Sequence, residues 1–353
     1  MNKARSLYVH FPFCRAKCHY CDFYSSTVKN PSDELVFYDL LRAEAALRRD
    51  FLADELETLY FGGGTPSLAD PRMIFSSLQP VGVSKNAEFT IEANPFSVTR
   101  DFLRACRETG INRISLGVQA LRPELLSWLG RIHTRDSALA ALGMIFDEGF
   151  TNVSVDLLCG VPGQTIPDIE EALGVLCSFP VTHVSCYLLT LRDTHRLHCT
   201  LPDENTQLDH FLFVDRRLCE LGFRHYEISS FARAGFESRH NLNYWHGDSY
   251  LGFGPSAHSF DASTGRRWKN SSIFPDYGVE WEEFLTPEQK RIEALMLAAR
   301  LDAGFTAEWI HNETLFASLM KDKLIERHPQ TSGFVRLTPK GFVLSDAIVA
   351  RLI

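Results

Sequence analysis

The chain has 353 residues, 45% of them hydrophobic, and 36 basic against 44 acidic side chains give it a formal charge of −8. That length exceeds what one hydrophobic core usually supports, so one large domain with a smaller companion is expected. No apolar run reaches membrane-spanning length, which predicts a soluble cytoplasmic protein with at most a peripheral membrane association, and the acidic balance excludes a broad nucleic-acid surface, leaving only a local basic patch at Arg266, Arg267 and Lys269.

In chain order, short apolar or aromatic runs alternate with helix-period segments. Strands are predicted at Leu7 to Phe11, Thr58 to Phe61, Glu88 to Glu92, Arg113 to Val118, Asn152 to Leu158 and His183 to Leu188. Between them, helices are predicted over Pro31 to Asp50, from the Thr99 cap to Gly110, and over Thr134 to Glu148, stopping at Gly149. Six such units over residues 1–204 suit a partial (β/α)6 barrel of α/β class, whose reactive side chains gather at the carboxyl ends of the strands.

The βα rhythm stops near residue 200, and residues 205–284 read as a connecting α+β region that begins with a helix over Asn205 to Leu221. It contains Arg239-His240-Asn241-Leu242-Asn243-Tyr244-Trp245 and the glycine-rich Tyr250-Leu251-Gly252-Phe253-Gly254-Pro255-Ser256-Ala257-His258. A capping box at Thr286-Pro287-Glu288-Gln289 opens a small helix-rich, winged-type C-terminal domain over 285–353, with a strand at Phe334 to Leu337 and a helix from Thr338.

The chemistry concentrates in Cys14, Cys18 and Cys21, spaced C-x3-C-x2-C, with no fourth cysteine to close the set. A zinc ribbon would need a matching downstream pair, which Cys106, Cys159, Cys177, Cys186, Cys199 and Cys219 do not form, and a long chain with nine cysteines is no disulfide framework. Three thiolates from one tight loop instead suit a cubane iron-sulfur cluster with one iron left open. Arg15 and Lys17 are expected to favour the ionised thiols. Cys159, Cys177 and Cys186 are expected to be buried packing residues.

At the other strand ends stand Gly62-Gly63-Gly64-Thr65-Pro66, Glu92, Gln119 and Asp156. Together with the cysteine loop these residues resemble the radical S-adenosylmethionine (SAM) superfamily. Leu7-Tyr8-Val9-His10-Phe11-Pro12-Phe13-Cys14, Ile91-Glu92-Ala93-Asn94-Pro95, Arg113-Ile114-Ser115-Leu116-Gly117-Val118-Gln119 and Gly160-Val161-Pro162-Gly163-Gln164-Thr165 are similar to its oxygen-independent coproporphyrinogen III oxidase-like branch. The resemblance implies a 4Fe-4S cluster on Cys14, Cys18 and Cys21 whose open iron chelates SAM, an external reductant for the cluster, and one-electron cleavage of the sulfonium. It further implies that Gly63, Gly64 and Thr65 admit the methionine amino group, that Glu92 accepts from the ribose, and that Gln119, Arg131 and Asp156 meet the remaining polar groups. Tyr8 and Tyr20 would contact SAM near the cluster.

Phe23 stands where the oxidase pattern C-x3-C-x2-C-x-C carries its additional cysteine, and few residues precede the first strand. Cys21-Asp22-Phe23 resembles instead the HemW family of heme chaperones, and His240-Asn241-Leu242-Asn243-Tyr244-Trp245 matches that family's H-N-x-x-Y-W motif. This implies heme bound through His240, with His246 and His258 as alternative ligands and Asn241, Tyr244 and Trp245 around the porphyrin, and transfer to an acceptor hemoprotein such as a respiratory one. Gly254-Pro255-Ser256 departs from the small-residue pattern expected beside His258. The alternative is a coproporphyrinogen III oxidase of heme synthesis.

Overall fold

The computed structural model describes residues 3–27 and 32–353. Six strands, β1 (Ser6–Phe11), β2 (Glu55–Gly63), β3 (Gly82–Ala93), β4 (Arg113–Gln119), β5 (Asn152–Cys159) and β6 (His183–Leu188), lie side by side in sequence order, each parallel to the next. Helices α1 (Ser32–Leu47), α2 (Pro71–Ser76), α3 (Arg100–Thr109), α4 (Pro123–Leu129), α5 (Arg135–Asp147) and α6 (Ile166–Leu176) occupy the crossovers. Strands β1 and β6 do not pair, so the α/β barrel is partial, as expected. The first helix and the third strand differ in extent from their predicted runs, and Pro31, the predicted start of that helix, lies outside the described residues.

Alternation along the strands decides what faces where. Leu7, Val9, Phe61, Phe89, Ile91, Ile114, Leu116, Val153, Val155 and Val184 pack outward against the helices as one apolar core. Their neighbours, among them Ser6, Tyr8, His10, Thr58, Tyr60, Glu88, Thr90, Glu92, Arg113, Ser115, Ser154, Asp156, His183 and Ser185, turn inward, so the barrel interior is polar. Local signals set the helices: Thr99 accepts from the Phe102 N–H and Gly110 ends α3 at φ 89°, while Thr134 and Thr165 form capping boxes with Ser137 and Asp168.

Residues 205–284 extend the same sheet at both edges. Beyond β6 lie β7 (Arg224–Glu227) and β8 (Ser230–Ala232). Beyond β1 lie β9 (Tyr250–Phe253), parallel to it, and the antiparallel β10 (His258–Asp261), β11 (Arg266–Asn270) and β12 (Val279–Phe284), giving a twelve-stranded sheet. Helix α7 (Glu204–Glu220), capped by Asp203, precedes β7, and α8 (Arg239–His246) sits between β8 and β9. The basic patch of the sequence proves to be ion-paired: Arg266 with Glu282, Arg267 with Glu283 and Glu293, and Lys269 with Glu280.

The C-terminal residues form a second core around Leu295, Phe305, Leu319, Ile325, Val335, Leu337, Phe342 and Ile348, joined by Phe211 of α7. Here β13 (Phe305–Thr306), β14 (Ile325–Arg327) and β15 (Phe334–Leu337) make a small antiparallel sheet among α9 (Pro287–Ala298), α10 (Glu313–Lys321), α11 (Pro339–Val343) and α12 (Ser345–Leu352). Thr286 caps α9 through the expected box with Gln289.

Candidate cluster and cofactor site at the barrel mouth

A cleft of about 500 Å³ opens at the carboxyl ends of the strands, lined by Cys14, Cys18, Tyr20, Cys21, Gly63, Gly64, Thr65, Glu92, Gln119, Arg131 and Asp156. Eleven of the twelve residues assigned by resemblance to the cluster and SAM line it, and Tyr8 does not. Tyr8 lies beneath the floor, its hydroxyl 3.2 Å from His10 Nδ1 and its ring 2.9 Å from where a Cβ on Gly62 would stand.

The cysteine loop is held from both sides. His19 Nδ1 lies 2.9 Å from the Trp128 carbonyl, and the His19 ring fills the space a side chain on Gly130 would need. Gly64 and Thr65 donate backbone N–H bonds to the Phe11 and Phe13 carbonyls at 2.7 and 2.8 Å, and a Cβ on Gly64 would stand 2.6 Å from the Phe13 oxygen. Glycine is thus required at position 64 by the close pass of two backbones. Thr65 Oγ1 reaches Cys14 Sγ at 3.5 Å and Arg131 Nη1 reaches Cys18 Sγ at the same distance. Donors aimed at sulfur suit thiolate ligands.

The three cysteines are free and partly buried. Among the described residues, no three His, Cys, Asp or Glu side chains converge on a point that could hold a single ion. Three thiolates on one loop suit a cubane with one iron left open, whereas a closed structural zinc site needs a fourth protein ligand. Burial raises the Cys21 thiol, outweighing the opposite pull of Lys17, while Arg15 stacks 5.9 Å from the centre of the Phe96 ring. Lys17 thus favours the Cys21 thiolate, as expected, but burial is the larger effect. Cys159 and Cys186 are buried as expected, whereas Cys177 is only partly so.

Glu92 accepts from the Tyr60 hydroxyl at 2.9 Å and from the Gly63 N–H at 3.2 Å. Burial, and then the charge of Asp156, push its carboxyl up to about 7. Asp156 accepts from Ser115 Oγ at 3.1 Å, and burial raises it as well. Arg131 bonds Asn94, the Gly117 carbonyl and Cys18, bracing the cleft wall, while its buried Nε has no hydrogen-bond partner. Gln119 holds a left-handed backbone at φ 65°, strain of the kind stored at functional sites. Sequence reasoning missed Asn94, whose Nδ2 donates to Thr65 Oγ1 at 3.2 Å, and Tyr187, which is 43% exposed on the cleft wall. Tyr187 sits near the carboxyl end of β6, where the same strand-end rule would have found it.

The Glu92 shift has a testable sign. A folded carboxyl raised above its unfolded value binds more protons than the unfolded chain, so stability falls as pH rises from about 4.5 to 7. We expect urea unfolding of the metal-free protein to show that decline, and Glu92→Gln to flatten it; an unchanged slope would contradict the assignment.

His240 and its neighbours lie elsewhere. Ser238 caps α8, and the Glu88 carboxylate accepts from the Arg239 and His240 N–H groups at 3.0 and 2.9 Å, so this helix end is fixed inside the barrel. His240 is 1% exposed, with Nδ1 2.8 Å from Thr58 Oγ1 and Nε2 2.7 Å from the Tyr244 hydroxyl. Both ring nitrogens have hydrogen-bond partners. Asn241, Tyr244 and Trp245 belong to the same part-buried helix, with Tyr244 packed 4.5 Å from Tyr250 and Trp245 beneath Arg300. His246 and His258 are exposed.

Comparison with known proteins agrees with this geometry. Residues 8–176 match the family model described as Radical SAM superfamily. The chain is 32% identical to the heme chaperone HemW of Bacillus subtilis, covering 98% of both chains. The chain belongs to the HemW family of the radical SAM superfamily. HemW of Mycobacterium tuberculosis is 34% identical over 98% of this chain and 94% of its own. A mouse relative, radical S-adenosyl methionine domain-containing protein 1, mitochondrial, is 36% identical over 72% of this chain and 60% of its own. Among solved structures, coproporphyrinogen III oxidase (HemN) from Escherichia coli superposes with a TM-score of 0.82 at 21% identity, covering 98% of this chain and 89% of that one. That likeness shows the fold that HemW shares with HemN. No helix among the described residues is long and apolar enough to cross a membrane.

Proposed function

We propose that this chain is a heme chaperone that holds a 4Fe-4S cluster on Cys14, Cys18 and Cys21, binds SAM in the barrel-mouth cleft, and passes heme to an acceptor hemoprotein. The observation that carries this reading is the near end-to-end likeness to proteins named heme chaperone HemW. Phe23 supports it: the side chain is 71% exposed on the cleft rim, where the oxidase pattern would place a further thiol. When bound, the cluster supplies one electron to the sulfonium. The protein's part is to position. Glu92 and Asp156 offer acceptor oxygens in the cleft, and Arg131 and Thr65 hold donors against the sulfurs. A one-electron reductant and a hemoprotein acceptor complete the reading.

Hemin titrated into anaerobically reconstituted protein should give a saturable Soret shift at about one heme per chain. Absence of saturation, together with conversion of coproporphyrinogen III to protoporphyrinogen IX in the presence of SAM, would replace this function with the oxidase.

A further inference from the structure

Beneath the barrel mouth stands a cation that the site described so far does not use. Arg113 of β4 is 2% exposed, its Nε has no hydrogen-bond partner, and its charge is met by Glu88 and Asp156 without a direct ion pair among the described residues. Buried charges are as a rule closely paired, so this arrangement calls for a reason. Register supplies the surroundings. Arg113 lies between Thr90 of β3 and Asn152 of β5, whose Oγ1 and Oδ1 are buried without partners as well. The next inward row toward the mouth is Glu92, Ser115 and Ser154, and in the row after it Asp156 pairs with Gly117. Ser115, two residues beyond Arg113, donates to Asp156 at 3.1 Å. Glu88, on the far side, is turned to α8, its two oxygens accepting from the Arg239 and His240 N–H groups.

The other cations lining the cleft are directed at the cysteine loop: Lys17 acts on Cys21, and Arg131 reaches Cys18. Asp156 is faced by Tyr20 of that loop, Tyr60 of β2, Glu92 of β3, Arg113 and Tyr187 of β6. Glu92 is faced by Tyr60, Asp156, Tyr187 and Arg113, and by Tyr8 of β1 and Tyr244 of α8. Arg113 is the cation in both sets. Burial raises the Asp156 carboxyl, and the charge of Arg113 is the largest pull against it, ahead of the Ser115, Ser185 and Ser154 hydroxyls. Arg113 pulls Glu92 the same way. Two buried carboxyls side by side would otherwise hold a proton between them, whereas a guanidinium stays charged at any working pH.

We propose that Arg113 is a positioning residue of the SAM site, a fixed positive charge beneath the mouth that keeps Asp156 and Glu92 anionic, so that both attract the sulfonium cation and accept from its nucleoside. The proposal rests on the SAM-binding reading of the cleft and adds the group that prepares it.

The experiment is equilibrium dialysis of SAM against anaerobically reconstituted wild type, Arg113→Gln and Arg113→Lys between about pH 6 and pH 9. In the wild type, affinity should rise as the carboxyls ionise and then level off. Arg113→Gln should retain the cluster iron but move the midpoint of that rise up by about one pH unit or more, a loss of about tenfold in affinity near neutral pH that alkali recovers. Arg113→Lys, which keeps the charge, should restore the wild-type midpoint. S-adenosylhomocysteine, a thioether without the sulfonium charge, should lose less affinity than SAM does in Arg113→Gln. A wild-type midpoint in Arg113→Gln, or a midpoint in Arg113→Lys displaced as far as in Arg113→Gln, overturns the proposal and leaves the SAM reading intact. Should Arg113→Gln fail to retain iron, Arg113→Lys carries the test alone: a wild-type midpoint supports the role of charge, and a displaced one overturns it. A wild type that binds no SAM overturns both readings.

Discussion

Replacing Cys14, Cys18 or Cys21 singly with alanine is expected to take retained iron from about four atoms per chain to below one after anaerobic reconstitution, because two thiolates from one loop cannot hold the cubane against chelators. The same substitution at Cys159 or Cys186 should leave iron unchanged: both lie in the apolar layer between strands and helices. Cys159→Ala and Cys186→Ala should instead register as a loss of stability of about 1 to 2 kcal/mol in urea unfolding, the range for removing a small buried side chain. Iron content by mass spectrometry and the visible charge-transfer band are the readouts. Equal iron in Cys18→Ala and wild type would contradict the assignment, and zinc in place of iron in the wild type would return the loop to the single-ion reading.

The sequence made the barrel legible because each strand obeys a period of two. Ser6, Tyr8 and His10 alternate with Leu7, Val9 and Phe11, and Arg113 and Ser115 with Ile114 and Leu116, so one face is apolar and the other polar. The cysteine loop and the residues at strand ends were legible for a related reason: a side chain there needs only its place in the strand to be aimed at the mouth. Three-dimensional neighbours were not legible. That Gly64 yields to the Phe13 carbonyl, or that Arg131 bonds Asn94 and Gly117, depends on the approach of segments far apart in the chain. Residues 205–284 read as a connection because the sequence period fails there, yet their strands complete both edges of the sheet; edge pairing by short antiparallel strands leaves little periodic trace.

The His240 motif shows the same limit at one side chain. Histidine, tyrosine and tryptophan at helical spacing serve as well for a buried network as for a ligand pocket, and only the partner from another strand decides. Here the partners are Thr58 of β2 and Glu88 of β3, which fix the ring and the helix N-terminus. His240→Ala is therefore expected to act on the fold: it removes a ring packed 5.0 Å from Tyr60 and strips hydrogen-bond partners from Thr58 and Tyr244, a loss of about 3 to 5 kcal/mol in urea unfolding at pH 7.5. The pH dependence carries a sign. Burial, and then the charge of Arg113, lower the pKa of His240 to about 3, so the folded chain keeps it neutral where the unfolded chain protonates it. Its contribution is complete above about pH 6.5 and is lost as pH falls toward 3, so the gap between wild type and His240→Ala should narrow with acidification. Wild-type stability for His240→Ala would mean that these bonds do not hold α8 in place; a gap that widens in acid would mean that the ring is charged when folded.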